Sequence, residues 1–114
     1  MANYYSDHPE IGFHLNHPLM QRIVELKERN YEDAKTYDDA PVDYEDAIEN
    51  YKQVLDITGD VAANIIAPNS ESVDLEGPHL ENGRMIYASK TFAHIDATRT
   101  AGLWGISMPR RYGG

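Results

Sequence analysis

The 114-residue sequence contains no cysteine, which excludes disulfides, thiolate metal sites and a cysteine nucleophile. It is short of positive charge: 10 Lys and Arg stand against 19 Asp and Glu, a net charge of −9. Phosphate binding draws on a basic stripe, so nucleic acid is not an expected partner, and an anionic membrane surface would repel the chain. No window approaches the roughly 20 apolar residues that span a bilayer. The first ten residues lack the apolar run of a secretory signal. These absences give the expectation of a soluble, cytoplasmic protein with no membrane span. A glycine-rich phosphate loop is also missing, because Gly12, Gly59, Gly77 and Gly83 each stand alone. With 41% hydrophobic and 25% charged residues, the composition is that of a globular chain and not of a disordered one. The length fits one domain or part of one. Compactly folded, it would bury roughly two-thirds of its unfolded surface.

Residues 1–17 show no period and read as an irregular arm. Asn16 reads as an N-cap with Pro18 just inside the first turn. Leu19, Met20, Ile23, Val24 and Leu26 follow at helical spacing, with Glu25, Lys27, Glu28 and Arg29 on the polar side. This predicts a short helix over 18–30. Residues 31–42 are an acidic connector ending at Ala40-Pro41, since the residue before proline disfavours helix. Asp43 can cap the N–H of Glu45 or Asp46, and Glu45, Asp46 and Glu49 suit the positive end of a helix dipole. One apolar stripe then runs through Ala47, Ile48, Tyr51, Val54, Leu55, Val61, Ala62, Ile65 and Ile66. It predicts a long helix over 43–67, broken or kinked by Pro68, with 69–76 as a candidate second helical run ending at Gly77-Pro78. Gly59 lies inside it at roughly 1 kcal/mol relative to Ala, a position that suits close helix–helix packing. Asn82-Gly83 is a type I′ turn signal, so 79–88 reads as a hairpin. A lone two-stranded hairpin is marginal in water and should lie on the helices. Ser89 or Thr91 can cap a last helix over 91–102, closed by Gly102. Leu103–Pro109 is an apolar exit segment without period. The fold class is therefore all-α with a small β-hairpin insertion.

Candidate chemistry is thin. His14 and His17 stand three apart, a ligand-like spacing, with Asp7 and Glu10 as further donors if the arm folds back. Surface or capping roles account for them better. His8, His79 and His94 have no evident carboxylate relay for base catalysis. Ser70, Ser72, Ser89 and Ser107 lack the strand–turn–helix setting of a nucleophile elbow. Asp38, Asp39, Asp43, Glu45 and Asp46 do not form a twelve-residue calcium loop and read as a solvated connector plus helix cap. The eight tyrosines read as helix-interface anchors with buried rings and wet hydroxyls. No catalytic, cofactor-binding or metal residue is assigned.

The last fourteen residues carry the most specific pattern. Ala101-Gly102-Leu103-Trp104-Gly105-Ile106-Ser107-Met108-Pro109-Arg110-Arg111-Tyr112-Gly113-Gly114 resembles the A-G-L-x-G-hydrophobic-x-x-P-x-x-Y-G-G signature of acyl-CoA dehydrogenases. Ile65-Ile66-Ala67-Pro68, with Asp74, Glu76 and Gly77 beyond, resembles that family's first helix and its I-A-P step. The resemblance covers roughly 43–114, so 1–42 reads as an N-terminal extension with one short helix and 43–114 as the first part of the family's helical domain. Arg110 and Arg111 stand where the family commonly has acidic residues, a change expected mainly to alter surface charge. An apolar run that stops at two glycines predicts a domain cut part-way. The resemblance implies a parent enzyme of three parts that performs α,β-dehydrogenation of acyl-CoA thioesters with FAD, an acyl-CoA substrate and an electron acceptor. The base and the flavin contacts are expected beyond residue 114, so the chain alone is expected to be inactive and without cofactor. Its partners are then the remaining domains and further copies in a homo-oligomer. The alternative is a stand-alone acidic helical interaction module.

Overall fold

Asp43 does what its position suggests. In the computed structural model, which describes residues 2–114, its carboxylate accepts the Asp46 N–H at 2.9 Å, and the Asp46 carboxylate accepts the Val42 N–H at 3.0 Å. These bonds satisfy donors that the first helical turn leaves open. The helix that follows is the spine of the molecule and runs from Tyr44 to Val61. Every member of the predicted stripe is buried or half-buried, which is what one face against a core requires.

Pro68 does not end this helix. It lacks an N–H and its ring crowds the carbonyl four residues back. The chain answers with one wide π turn over Ala62–Ile66, in which the Ala67 N–H reaches back five residues to the Ala62 carbonyl. A further helix, Ala67–Glu76, continues directly. The expected break or kink is thus a widening, and the candidate helical run over 69–76 forms, ending at Gly77, whose φ is +59°.

The N-terminal arm also departs from the reading. Pro9–Leu15 forms helix α1, with proline in the first turn where its missing N–H is harmless. Asn16 closes that helix instead of opening the next: its side-chain amide donates to the Gly12 carbonyl at 3.0 Å. Helix α2 spans Met20–Lys27 and packs on the spine, α3 (Tyr44–Val61). After α2, Arg29, Asn30 and Tyr31 all hold positive φ (50°, 53° and 62°), a left-handed run costing roughly 1–2 kcal/mol per residue. A 3₁₀ turn, Glu32–Lys35, follows.

Beyond α4 (Ala67–Glu76), strands β1 (His79–Glu81) and β2 (Arg84–Ile86) pair antiparallel, with Leu80 opposite Met85. Asn82 and Gly83 carry the two successive positive φ values, 50° and 75°, of the expected turn. The hairpin does not lie on the helices. All six strand residues are exposed, Leu80 at 77%. Helix α5 spans Thr91–Thr100 and begins without a side-chain cap, because the Ser89 hydroxyl donates to the Glu76 carboxylate at 2.8 Å. Gly102, at φ +75°, ends it as expected.

The core is small and one-sided. Val24, Ala40, Pro41 and Ala47 are buried around α2, the connector and the start of α3, Gly59 and Val61 at the far end of α3, and Ala88 near the hairpin. The accessible surface is 8399 Å², against roughly 6,300 Å² for a compact chain of this mass. The radius of gyration is 17.8 Å, against about 13 Å for a compact chain. The expected burial is not reached.

Candidate functional site

The most developed polar site stands where α2, α3 and the exit segment meet. Glu28 immediately follows α2, four residues past Val24 and on the same side of the turn, so the packing that buries Val24 buries Glu28 as well. It is 2% exposed. A carboxylate there needs partners for both oxygens. The Tyr51 hydroxyl, presented by α3, donates to Oε1. Arg110 donates to Oε2 at 2.9 Å, and the same guanidinium nitrogen reaches Asp33 Oδ2 at 3.3 Å. Pro109 is extended, and the short 3₁₀ turn Arg110–Tyr112 begins directly after it, which turns Arg110 back toward α2. The Lys27 ammonium lies 3.6 Å from Glu28 Oε1 and 5.3 Å from the Tyr51 ring centroid. Arg29 pairs with Asp33 on the outer side.

Burial by itself would push the Glu28 carboxyl up. The hydrogen bonds from Tyr51 and Arg110, with the charges of Arg110 and Lys27, outweigh it and hold the carboxyl below the ordinary glutamate value. For Tyr51, burial and the bond to the Glu28 carboxylate act together and raise the phenol far above its usual value. Burial pulls the Arg110 guanidinium down, but Glu28 and Asp33 more than offset that. Glu28 is therefore an ionised acceptor with both oxygens engaged. That suits a structural clamp and does not suit a general base, which needs a free lone pair aimed at a substrate proton.

Beside the clamp runs an open groove of about 540 Å³. Val54, Ile57 and Ile106 supply apolar wall, and Lys27, Tyr51 and Arg110 edge it. The groove offers no glycine-rich phosphate cradle, and its two edge cations are already engaged by Glu28. It does not fit a flavin dinucleotide.

Comparison with protein-family models, curated proteins and solved structures gives no match to this chain. The site is thus read from its own geometry.

The residues singled out from sequence do not converge. His14 lies on α1 with its ring edge-on to Phe13, and His17 Nδ1 accepts the Leu19 N–H at 3.1 Å. Among the described residues no group of three His, Asp or Glu side chains has a metal-holding arrangement. His8 and His79 do have carboxylate neighbours, Glu10 at 3.1 Å and Glu81 at 3.3 Å. Both pairs are solvent-exposed contacts between residues two apart. His94 Nε2 and the Tyr31 hydroxyl are buried without a hydrogen-bond partner. Ser70 and Ser72 donate to helix carbonyls three residues back. Asp43 and Asp46 serve the helix cap. No helix among the described residues is long and apolar enough to cross a membrane.

Two assignments change. Arg110, expected mainly to alter surface charge, enters the buried network, and Glu28, placed on a polar face, is its centre. Tyr51 is half-buried, and its hydroxyl is bound to protein. The four-residue step from Val24 to Glu28 was the available signal. It points a carboxylate inward, and an inward carboxylate calls for a cation that only the fold can supply.

Proposed function

We propose that this chain is the N-terminal helical portion of a flavin-dependent acyl-CoA dehydrogenase, contributing scaffold and no chemistry of its own. The observation that carries this is the 101–114 segment: the signature glycines Gly102 and Gly113 sit at φ +75° and +90°, backbone that glycine adopts with least strain. The surface supports the same reading. Trp104, Ile106, Met108 and Tyr112 are each at least half exposed, and an apolar patch of this kind on a soluble protein marks a contact surface.

On this reading the remaining domains of the parent cover that patch. The parent takes FAD, an acyl-CoA and an electron acceptor, and assembles as a homo-oligomer in the cytoplasm. In such an enzyme a glutamate outside these residues takes the α-proton of the thioester, and FAD accepts the β-hydride. The test is to express the full reading frame and record its visible spectrum with a panel of acyl-CoA thioesters. Flavin bands that bleach with one thioester support the proposal and name the substrate class. A colourless product sinks it. The 114-residue chain alone should not reduce a ferricenium acceptor with any acyl-CoA, and turnover would refute the scaffold role.

A second reading, a stand-alone helical interaction module, draws on α2. Leu19, Ile23 and Leu26 are exposed at i, i+4 and i+7, the spacing of anchors in a helix-in-groove complex. A reading frame that closes after Gly114 would favour it.

A further inference from the structure

Residues 2–35 touch α3 and the exit segment through two polar attachments near their opposite ends. At the first, the Asn3 side-chain amide donates to the Asp56 carbonyl at 3.0 Å and to the Asp56 carboxylate at 3.1 Å. The Tyr4 N–H donates to the Gly59 carbonyl at 3.2 Å, and the Asn64 amide donates to the Ala2 carbonyl at 2.9 Å. Asn3 Oδ1 in turn accepts the N–H groups of Tyr5 and Ser6, at 2.9 and 3.2 Å. This knot occupies the space a side chain at position 59 would take. A Cβ there would lie 2.2 Å from Asn3 Oδ1 and 2.7 Å from the Tyr5 backbone nitrogen. Mid-helix glycine is disfavoured by about 1 kcal/mol relative to alanine, and the seated arm is the physical reason for one here. At the second attachment, Glu28 and Asp33 hold Arg110, and Tyr51 holds Glu28.

Between these points little binds the segment. Helices α1 and α2 have seven and eight residues, too short to be stable alone. Val24 is the one buried apolar side chain of this stretch among the described residues. The left-handed turn at 29–31 stores strain against it. A segment held by discrete polar contacts and little apolar burial opens as a unit. We propose that residues 2–35 form a displaceable strap across α3, latched at the Gly59 notch and at the Glu28–Arg110 clamp. While the strap is shut, the second latch fixes residues 106–112 and with them the Ile106 and Arg110 edge of the groove; when it opens, that edge is released.

Hydrogen exchange on the 114-residue chain tests this. Gly59→Ala should speed exchange at the amides of Tyr4, Tyr5 and Ser6 by roughly tenfold, the loss of one or two hydrogen bonds, even though alanine favours the helix it joins. Slower exchange across α3 with the arm unchanged is the outcome of helix propensity alone and overturns the notch. Asn3→Ala removes the same contact without adding an atom to α3, so it gives the answer if Gly59→Ala does not fold. Arg110→Met should raise exchange in 20–31 and in 106–112 together. A change confined to 109–113, or none, overturns the coupling.

Discussion

The two ends of the α3–α4 helical line are built differently. At the α3 end, a connector, a short helix and an exit segment converge, and nearly all the buried residues are there, with a charged residue, Glu28, among them. At the α4 end, Ala88 is the buried residue, and Leu75, Leu80, Met85 and Phe92 stand exposed. The α3 end closes on itself by polar bonds between distant parts of the chain. The α4 end keeps its shape through local rules, namely a turn, a two-stranded pairing and short helices, and leaves its apolar side chains outward. Polar latches can hold a small core in register, but they cannot replace apolar burial: Leu19, Ile23, Leu26 and Ile106 stay exposed at the latched end as well.

This contrast predicts an asymmetric response. Glu28→Ala leaves Tyr51 without its acceptor, leaves Arg110 with Asp33 alone and empties a buried position. Losing one partner of a buried charge network costs about 3–5 kcal/mol. The expected result in urea unfolding followed residue by residue is a lower midpoint for 2–35 and 106–112, with the midpoint of the 79–86 hairpin the same as in the unsubstituted chain. A shift of the hairpin midpoint as well would break the comparison. Acid should do the same more gently. The Glu28 carboxyl lies below its ordinary value when folded, so the folded state binds this proton less readily than the unfolded chain. Its stabilisation is complete above the ordinary glutamate range, about 4.3, and is lost as pH falls through the lower folded value. The α3 end should loosen over that window, and Glu28→Gln should flatten the response. An acid profile identical in the variant would remove Glu28 from the account.

The elements set by local chemistry were legible. Asp43 as a cap, the α3 stripe, the Asn82-Gly83 turn and the glycine stop at 102 follow from properties of a few neighbouring residues. Pro68 was misread because a helix can pass a proline by widening one turn, and that choice depends on what lies around Asn64–Ala67. The hairpin was expected to need cover and has none, because backbone pairing settles the turn before packing is decided. The clamp was not read: Glu28 was placed on the polar side although the four-residue step from Val24 points it inward, and its cation stands 82 positions away, a partner that no local pattern announces. Gly59 was read as a position for close helix–helix packing, and what approaches it is the arm, through the Asn3 side chain and the Tyr5 backbone.

A smaller effect should appear at the opposite end. Gly83 holds φ +75° with open space around it, so Gly83→Val brings no clash and only the conformational strain of a branched residue in left-handed backbone, about 1–2 kcal/mol. An isolated hairpin has little stability to lose, so the cross-strand contact between Leu80 and Met85 should vanish in nuclear Overhauser spectra while the clamp stays formed. If the clamp also opens, the two ends are coupled through α4.

The smallest effect expected is that of Asp43→Ala. The substitution removes one acceptor from the first turn of α3, a change of about 1 kcal/mol in comparable caps. The Asp46 carboxylate still accepts from Val42, so the turn loses one bond of a reciprocal pair. Ala47, fully buried one turn on, ties that turn to the core, and the fraying should reach it and Ala40 first. The π turn at 62–66 separates this event from α4, since a widened turn already interrupts the regular bond ladder there. Amide exchange should therefore rise at 44–47 and leave 69–76 as it was. A rise along the whole length of both helices would show that the spine melts as one body, and the division between a latched end and a local end would then hold for packing but not for stability.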